Sequence, residues 1–120
     1  MVAESGIVRT ERRTTPRIPA FFAVELSSTA KRGRCGVTRN ASPSGLLIVT
    51  PSRFRPDDRL EVSVHAEGLA ARLAGRVVRI DENSPRSSEL WRYRLAVELD
   101  EPLPGQLLAL AEASPVARVG

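Results

Sequence analysis

The chain has 120 residues, 42% of them hydrophobic and 4% aromatic, which suits one domain with a modest aliphatic core and argues against a disordered chain. Its one cysteine excludes a disulfide framework and a cysteine-based metal site, and a reducing, cytoplasmic setting is expected. The formal net charge of +4 is concentrated early: between positions 9 and 39 stand Arg9, Arg12, Arg13, Arg17, Lys31, Arg32, Arg34 and Arg39 against only Glu11 and Glu25.

Such asymmetry points to a phosphate-bearing partner, whether nucleic acid, a nucleotide or an anionic membrane surface, with a merely soluble basic surface as the alternative. There is no apolar segment of membrane-spanning length and no apolar N-terminal leader, so a soluble, non-exported protein is expected.

Residues 1–10 are polar and aperiodic and are expected to form a loose tail. From Glu11 the arginines begin, and Pro16 and Pro19 disfavour helix at Thr15 and Ile18, so Arg12, Arg13 and Arg17 belong to an extended arm. Phe22, Val24 and Leu26 alternate with Ala23, Glu25 and Ser27, the period of a half-buried strand. After a turn over 28–33, Arg34 to Asn40 forms a second strand with Cys35, Val37 and Arg39 on one face. The polar stretch Asn40-Ala41-Ser42-Pro43-Ser44-Gly45 reads as the turn into Leu46-Leu47-Ile48-Val49, a run typical of a strand buried on both sides.

Pro51 ends that run and 52–58 is a connection. Leu60, Val62 and Val64 alternate in the next strand, with His65 facing outward, and Gly68 marks a turn. Ala70 to Ile80 is a long strand whose faces the sequence leaves open, because Val77-Val78 breaks the alternation and allows a bulge. A polar loop around Pro85 leads to Trp91, Tyr93, Leu95, Val97 and Leu99, a clean period-2 run whose two aromatics are expected in the core. Gln106 to Ala113 spaces its leucines as a short helix. Six closely spaced strands without long helices imply an all-β fold, an antiparallel barrel or sandwich.

The chemistry concentrates in two stretches. Arginine's planar fork grips phosphate bidentately, pairs with the O6/N7 edge of guanine or stacks on a base. Arg13 and Arg17, four residues apart, lie on one side of an extended chain about 13 Å from each other. Asn40 donates and accepts, Ser42 does so through its hydroxyl, and Gly45 permits a positive φ or a close approach of ligand to backbone. The alternative is that Asn40 and Ser42 merely cap a tight turn. Cys35 reads as a small packing residue, Asp57 and Asp58 as turn residues, and no nucleophile, metal set or paired acid and base suggests catalysis.

Arg13-x-x-x-Arg17 followed by Asn40-x-Ser42-x-x-Gly45 resembles the two-part signature of PilZ domains, Arg-x-x-x-Arg and then Asp/Asn-x-Ser-x-x-Gly. The likeness extends over residues 11–113, through the apolar strand after Gly45, Gly75-Arg76-Val77-Val78-Arg79 and Tyr93-Arg94-Leu95-Ala96-Val97, leaving 114–120 as a C-terminal tail. It implies a six-stranded antiparallel β-barrel with a short C-terminal helix that receives cyclic di-GMP and uses no other cofactor. Arg13 and Arg17 would hold phosphates and guanine edges, Asn40, Ser42 and Gly45 would form the opposing wall, and Arg12 would accompany a stacked ligand pair. Ala96 and Leu99 depart from the glycine and aromatic common in the family's last strand, and Asn40 replaces the commoner aspartate.

A non-enzymatic receptor is therefore expected, whose arginine arm moves on binding and is read by a partner protein. The competing readings are a small basic barrel binding single-stranded nucleic acid, disfavoured by the scarcity of aromatics, and a PilZ-like adaptor that works without ligand.

Overall fold

In the computed structural model, residues 17–113 can be described. They form seven strands and one helix: β1 (Ile18–Pro19), β2 (Ala23–Ser27), β3 (Arg34–Ser42), β4 (Gly45–Thr50), β5 (Arg59–Ala66), β6 (Leu69–Glu82), β7 (Tyr93–Leu99) and α1 (Gly105–Ala113). Every pairing is antiparallel, in the order β1-β3-β2-β5-β6-β7-β4, and a β3–β4 pairing closes β2 to β7 into a six-stranded barrel. Closure leaves no open edge among these six strands. β1 lies outside the barrel.

The expected alternations hold in β2 and β5: Val24, Leu26, Leu60, Val62 and Val64 are buried, and His65 is exposed. With Leu46, Ile48, Val77, Leu95 and Val97 they form the barrel core, which Phe54 of the β4–β5 connection and Leu107 and Ala111 of α1 complete. Leu47 is half-buried, so the apolar run of β4 is not symmetric. Val49 and Ala96 are buried yet stand outside the core cluster, because their strand positions point to the outer surface. Glu67 and Gly68, both at positive φ, make the two-residue β5–β6 turn.

β6 runs for 14 residues, giving its first half to β5 and its second to β7, with a bulge at Val78 where the sequence allowed one. A second bulge, at Arg39 in β3, was not expected. There the neighbouring edge changes partner, since β2 pairs with residues 34–37 and β1 with Asn40 and Ala41. Thr38 bridges this break from a fully buried position: its Oγ1 accepts from Phe22 N at 2.8 Å and donates to the Ala20 carbonyl.

Three expectations are corrected. Cys35 is exposed, because the inward residues of β3 are Gly36 and Thr38, and packing is not its role. Trp91 precedes β7, and both it and Tyr93 are only half-buried and lie outside the core cluster. The polar turn shrinks to Pro43 and Ser44, since β3 continues to Ser42 and β4 starts at Gly45. As expected, Asp57 and Asp58 are turn residues: Asp58 Oδ2 accepts from Arg55 N at 2.9 Å, while Asp57 takes a positive φ.

Candidate functional site

Arg17, the one described residue of the arginine stretch, meets the polar stretch through β1. Ile18 pairs with Ala41 and Pro19 with Asn40, so continuing the register sets Arg17 level with Ser42 and on the same face as Asn40. Pro19 has no backbone donor to give, which suits a strand at an edge. From this position Arg17 Nη1 donates to Asn40 Oδ1 at 3.2 Å, across 23 residues of sequence. Arg12 and Arg13 lie outside the described residues.

Asn40 and Ser42 part ways chemically. Ser42 is a buried residue, 4% exposed, and its hydroxyl accepts from Ser44 N at 3.3 Å and so does cap the turn. Asn40 stands two residues before Ser42 and engages Arg17 instead. Gly45, level with Ser42 and Glu98, takes no positive φ. Its requirement is steric: a Cβ there would come within 2.8 Å of the Val97 carbonyl oxygen of β7.

Among the described residues, the basic side chains of the N-terminal third do not form one continuous patch. Arg39 is paired with Glu89 at 2.7 Å and lies 5.9 Å from the centroid of the Phe21 ring. Arg32 and Arg34 belong to the far end of the β2–β3 hairpin, and Arg34 is about 20 Å along β3 from Asn40 by strand rise. Arg76 is held by Glu98 at 2.9 Å and Asp57 at 2.7 Å, hydrogen bonds that raise its pKa above the ordinary arginine value. A concavity of about 500 Å³ bordered by Lys31, Arg53, Arg55, Ile80 and Tyr93 lies at the opposite end of the β4–β7 ladder, as Tyr93 pairs with Thr50 and Gly45 with Glu98.

Cross-strand register defines the outer surface beside Asn40. Asn40 is opposite Leu47, Leu47 opposite Ala96, and Ala96 opposite Arg79, giving a row across β3, β4, β7 and β6. Arg94 lies two residues from Ala96 on the same face of β7. The sequence reading places Arg79 and Arg94 in segments of the family likeness but not among the ligand residues; the broken alternation at Val77-Val78 is the signal that the face of Arg79 changes. Among the described residues no cluster of three or more His, Cys, Asp or Glu is placed to hold a metal.

The sequence profile of the PilZ domain matches residues 11–113. The chain belongs to the PilZ domain family. No curated protein matches it in sequence. Several solved structures share its fold. The PilZ domain with c-di-GMP of YcgR from Escherichia coli has 14% identity and a TM-score of 0.66, covering 85% of this chain and 90% of that one. The inhibitor of motility MotI/DgrA of Bacillus subtilis has 21% identity and a TM-score of 0.60 over 84% of this chain, which spans about half (48%) of MotI. The PilZ domain of CeSA from a cellulose-synthesizing bacterium has 19% identity and a TM-score of 0.54, covering 82% of this chain and 96% of that domain. At these identities the likeness is one of fold. Among the described residues no helix is long and apolar enough to cross a membrane.

Proposed function

We propose that this PilZ domain is a binding domain for cyclic di-GMP and acts without catalysing a reaction. Arg13 and Arg17 hold phosphates and guanine edges, Asn40, Ser42 and Gly45 form the facing wall, and Arg12 offers a guanidinium to a second, stacked ligand. The observation that carries the reading is the hydrogen bond from Arg17 to Asn40, which joins the two halves of the motif in one place. A guanidinium has five donors, so four remain for an anion while Asn40 orients the fork. Support also comes from YcgR, whose PilZ domain was solved with c-di-GMP.

The output is a change in the position of the Arg12–Arg17 arm, read by a partner protein in the cytoplasm. Ligand would favour the closed arm by its differential affinity for that state. Calorimetric titration with cyclic di-GMP tests the binding step. Saturable binding by the wild type, lost in Arg13→Ala and Arg17→Ala, is expected. A wild type that does not bind, or variants that bind like it, overturns the reading.

A further inference from the structure

The two bulges of the barrel act on the same row of residues. In β3, Thr38 is opposite Ile48 and Asn40 opposite Leu47, with Arg39 as the extra residue. Were the register unbroken, with Arg39 itself opposite Leu47, Asn40 would stand opposite Leu46, which is 1% exposed and faces the core. In β6, Val77 is opposite Val97 and Arg79 opposite Ala96, with Val78 as the extra residue. Were the register unbroken, with Val78 opposite Ala96, Arg79 would stand opposite Leu95, which is fully buried. A one-residue shift exchanges the two faces of a strand, so each bulge turns a polar side chain from the core to the outer surface. Asn40 and Arg79 thereby end on one row, separated by Leu47 and Ala96 and by three inter-strand steps of about 4.8 Å each.

The charges at the Arg79 end do not cancel. Arg79 Nε donates to Asp81 Oδ2 at 3.0 Å, and Arg94 Nη2 approaches the same oxygen at 3.9 Å. One carboxylate thus serves two guanidiniums. Arg94 Nε is buried without a hydrogen-bond partner. A net positive, incompletely satisfied group therefore lies on the same outer surface as Arg17 and Asn40, across the small side chain of Ala96.

We infer that Arg79 is a second anchoring residue for the anionic ligand and that Asp81 is its counter-ion in the free protein, displaced from Arg79 when ligand binds. The inference rests on the cyclic di-GMP reading above. The ligand would then be held from two sides, by Arg17 and Asn40 at β3 and by Arg79 at β6, lying over β4 and β7. Asp81 competes with the ligand's phosphate or guanine acceptors for the same guanidinium, so it lowers affinity.

The experiment is calorimetric titration of cyclic di-GMP into the full chain and its variants, with thermal unfolding to confirm that each is folded. Arg79→Ala and Arg79→Met are expected to weaken binding by at least about tenfold, the loss of one charge-assisted hydrogen bond. Asp81→Asn is expected to tighten it several-fold, whereas Glu61→Gln, whose carboxylate pairs with Arg72 in another part of the barrel, leaves it unchanged. Arg79 variants that bind within twofold of wild type, while Arg17→Ala is weakened, overturn the role of Arg79 and leave the cyclic di-GMP reading standing. Unchanged or weaker binding by Asp81→Asn, or equal tightening by Glu61→Gln, overturns the counter-ion role. No binding by the wild type overturns both readings.

Discussion

Arg17 and Asn40, 23 residues apart in sequence, are joined by a 3.2 Å hydrogen bond at the point where β1 lies against β3. The contact is exposed, so its contribution to folding is small. Arg17→Ala and Asn40→Ala should each change stability by no more than about 0.5 kcal/mol, as surface substitutions do. Urea unfolding measures this, and the same proteins lose ligand affinity in titration. Asn40→Asp should strengthen the contact, since a carboxylate in place of the neutral amide turns the guanidinium's hydrogen bond into an ion pair. A double-mutant cycle would read that gain as a larger coupling energy between the two positions.

Thr38 is structural. Its hydroxyl satisfies both Phe22 N and the Ala20 carbonyl in a fully buried place. Thr38→Val keeps shape and volume and removes both bonds, leaving two backbone groups without that partner. A loss of about 2–4 kcal/mol in unfolding free energy is expected, read from the lowered urea midpoint and the slope, well above the effect of an ordinary exposed hydroxyl.

Gly45 belongs to the motif yet has a steric reason to be glycine. Gly45→Ala places a Cβ within 2.8 Å of the Val97 carbonyl, so β4 must move away from β7. The protein should lose about 1–3 kcal/mol in the absence of any ligand. Measuring unfolding before titration separates this loss from an effect on binding. Unchanged stability would show that the strands relax freely and that glycine answers to the ligand instead.

Cys35 offers a check on the face of β3. An exposed thiol should react with a thiol-specific reagent in the native protein about as fast as in denaturant. Cys35→Ser should leave stability within about 0.5 kcal/mol. Slow native modification would mean that the inward and outward residues of β3 had been exchanged.

Much of the barrel was legible because its strands alternate. Val24 and Leu26 in β2, and Leu60, Val62 and Val64 in β5, repeat every second residue, and such a pattern has one burial solution. β3 was harder. Its inward residues are Gly36 and Thr38, while Val37 and Cys35 face outward, so hydrophobicity points to the wrong side. Thr38 is buried because the β1–β2 break needs its hydroxyl, a demand that comes from another strand. Trp91 and Tyr93 continue the period of β7 in sequence, but the strand begins only at Tyr93 and the core is filled without them.

The sequence by itself determined the strand candidates, the terminal helix, the single-domain scale and the spacing of the arginine and Asn-x-Ser-x-x-Gly stretches, since these depend on local periodicity and residue chemistry. Only the tertiary structure decided which way Asn40 and Arg79 face. Both depend on bulges at Arg39 and Val78, and a bulge is defined by the partner strand it is counted against. The same holds for β1: two residues, one of them a proline, make a strand only because the edge of β3 beyond the break is there to receive them.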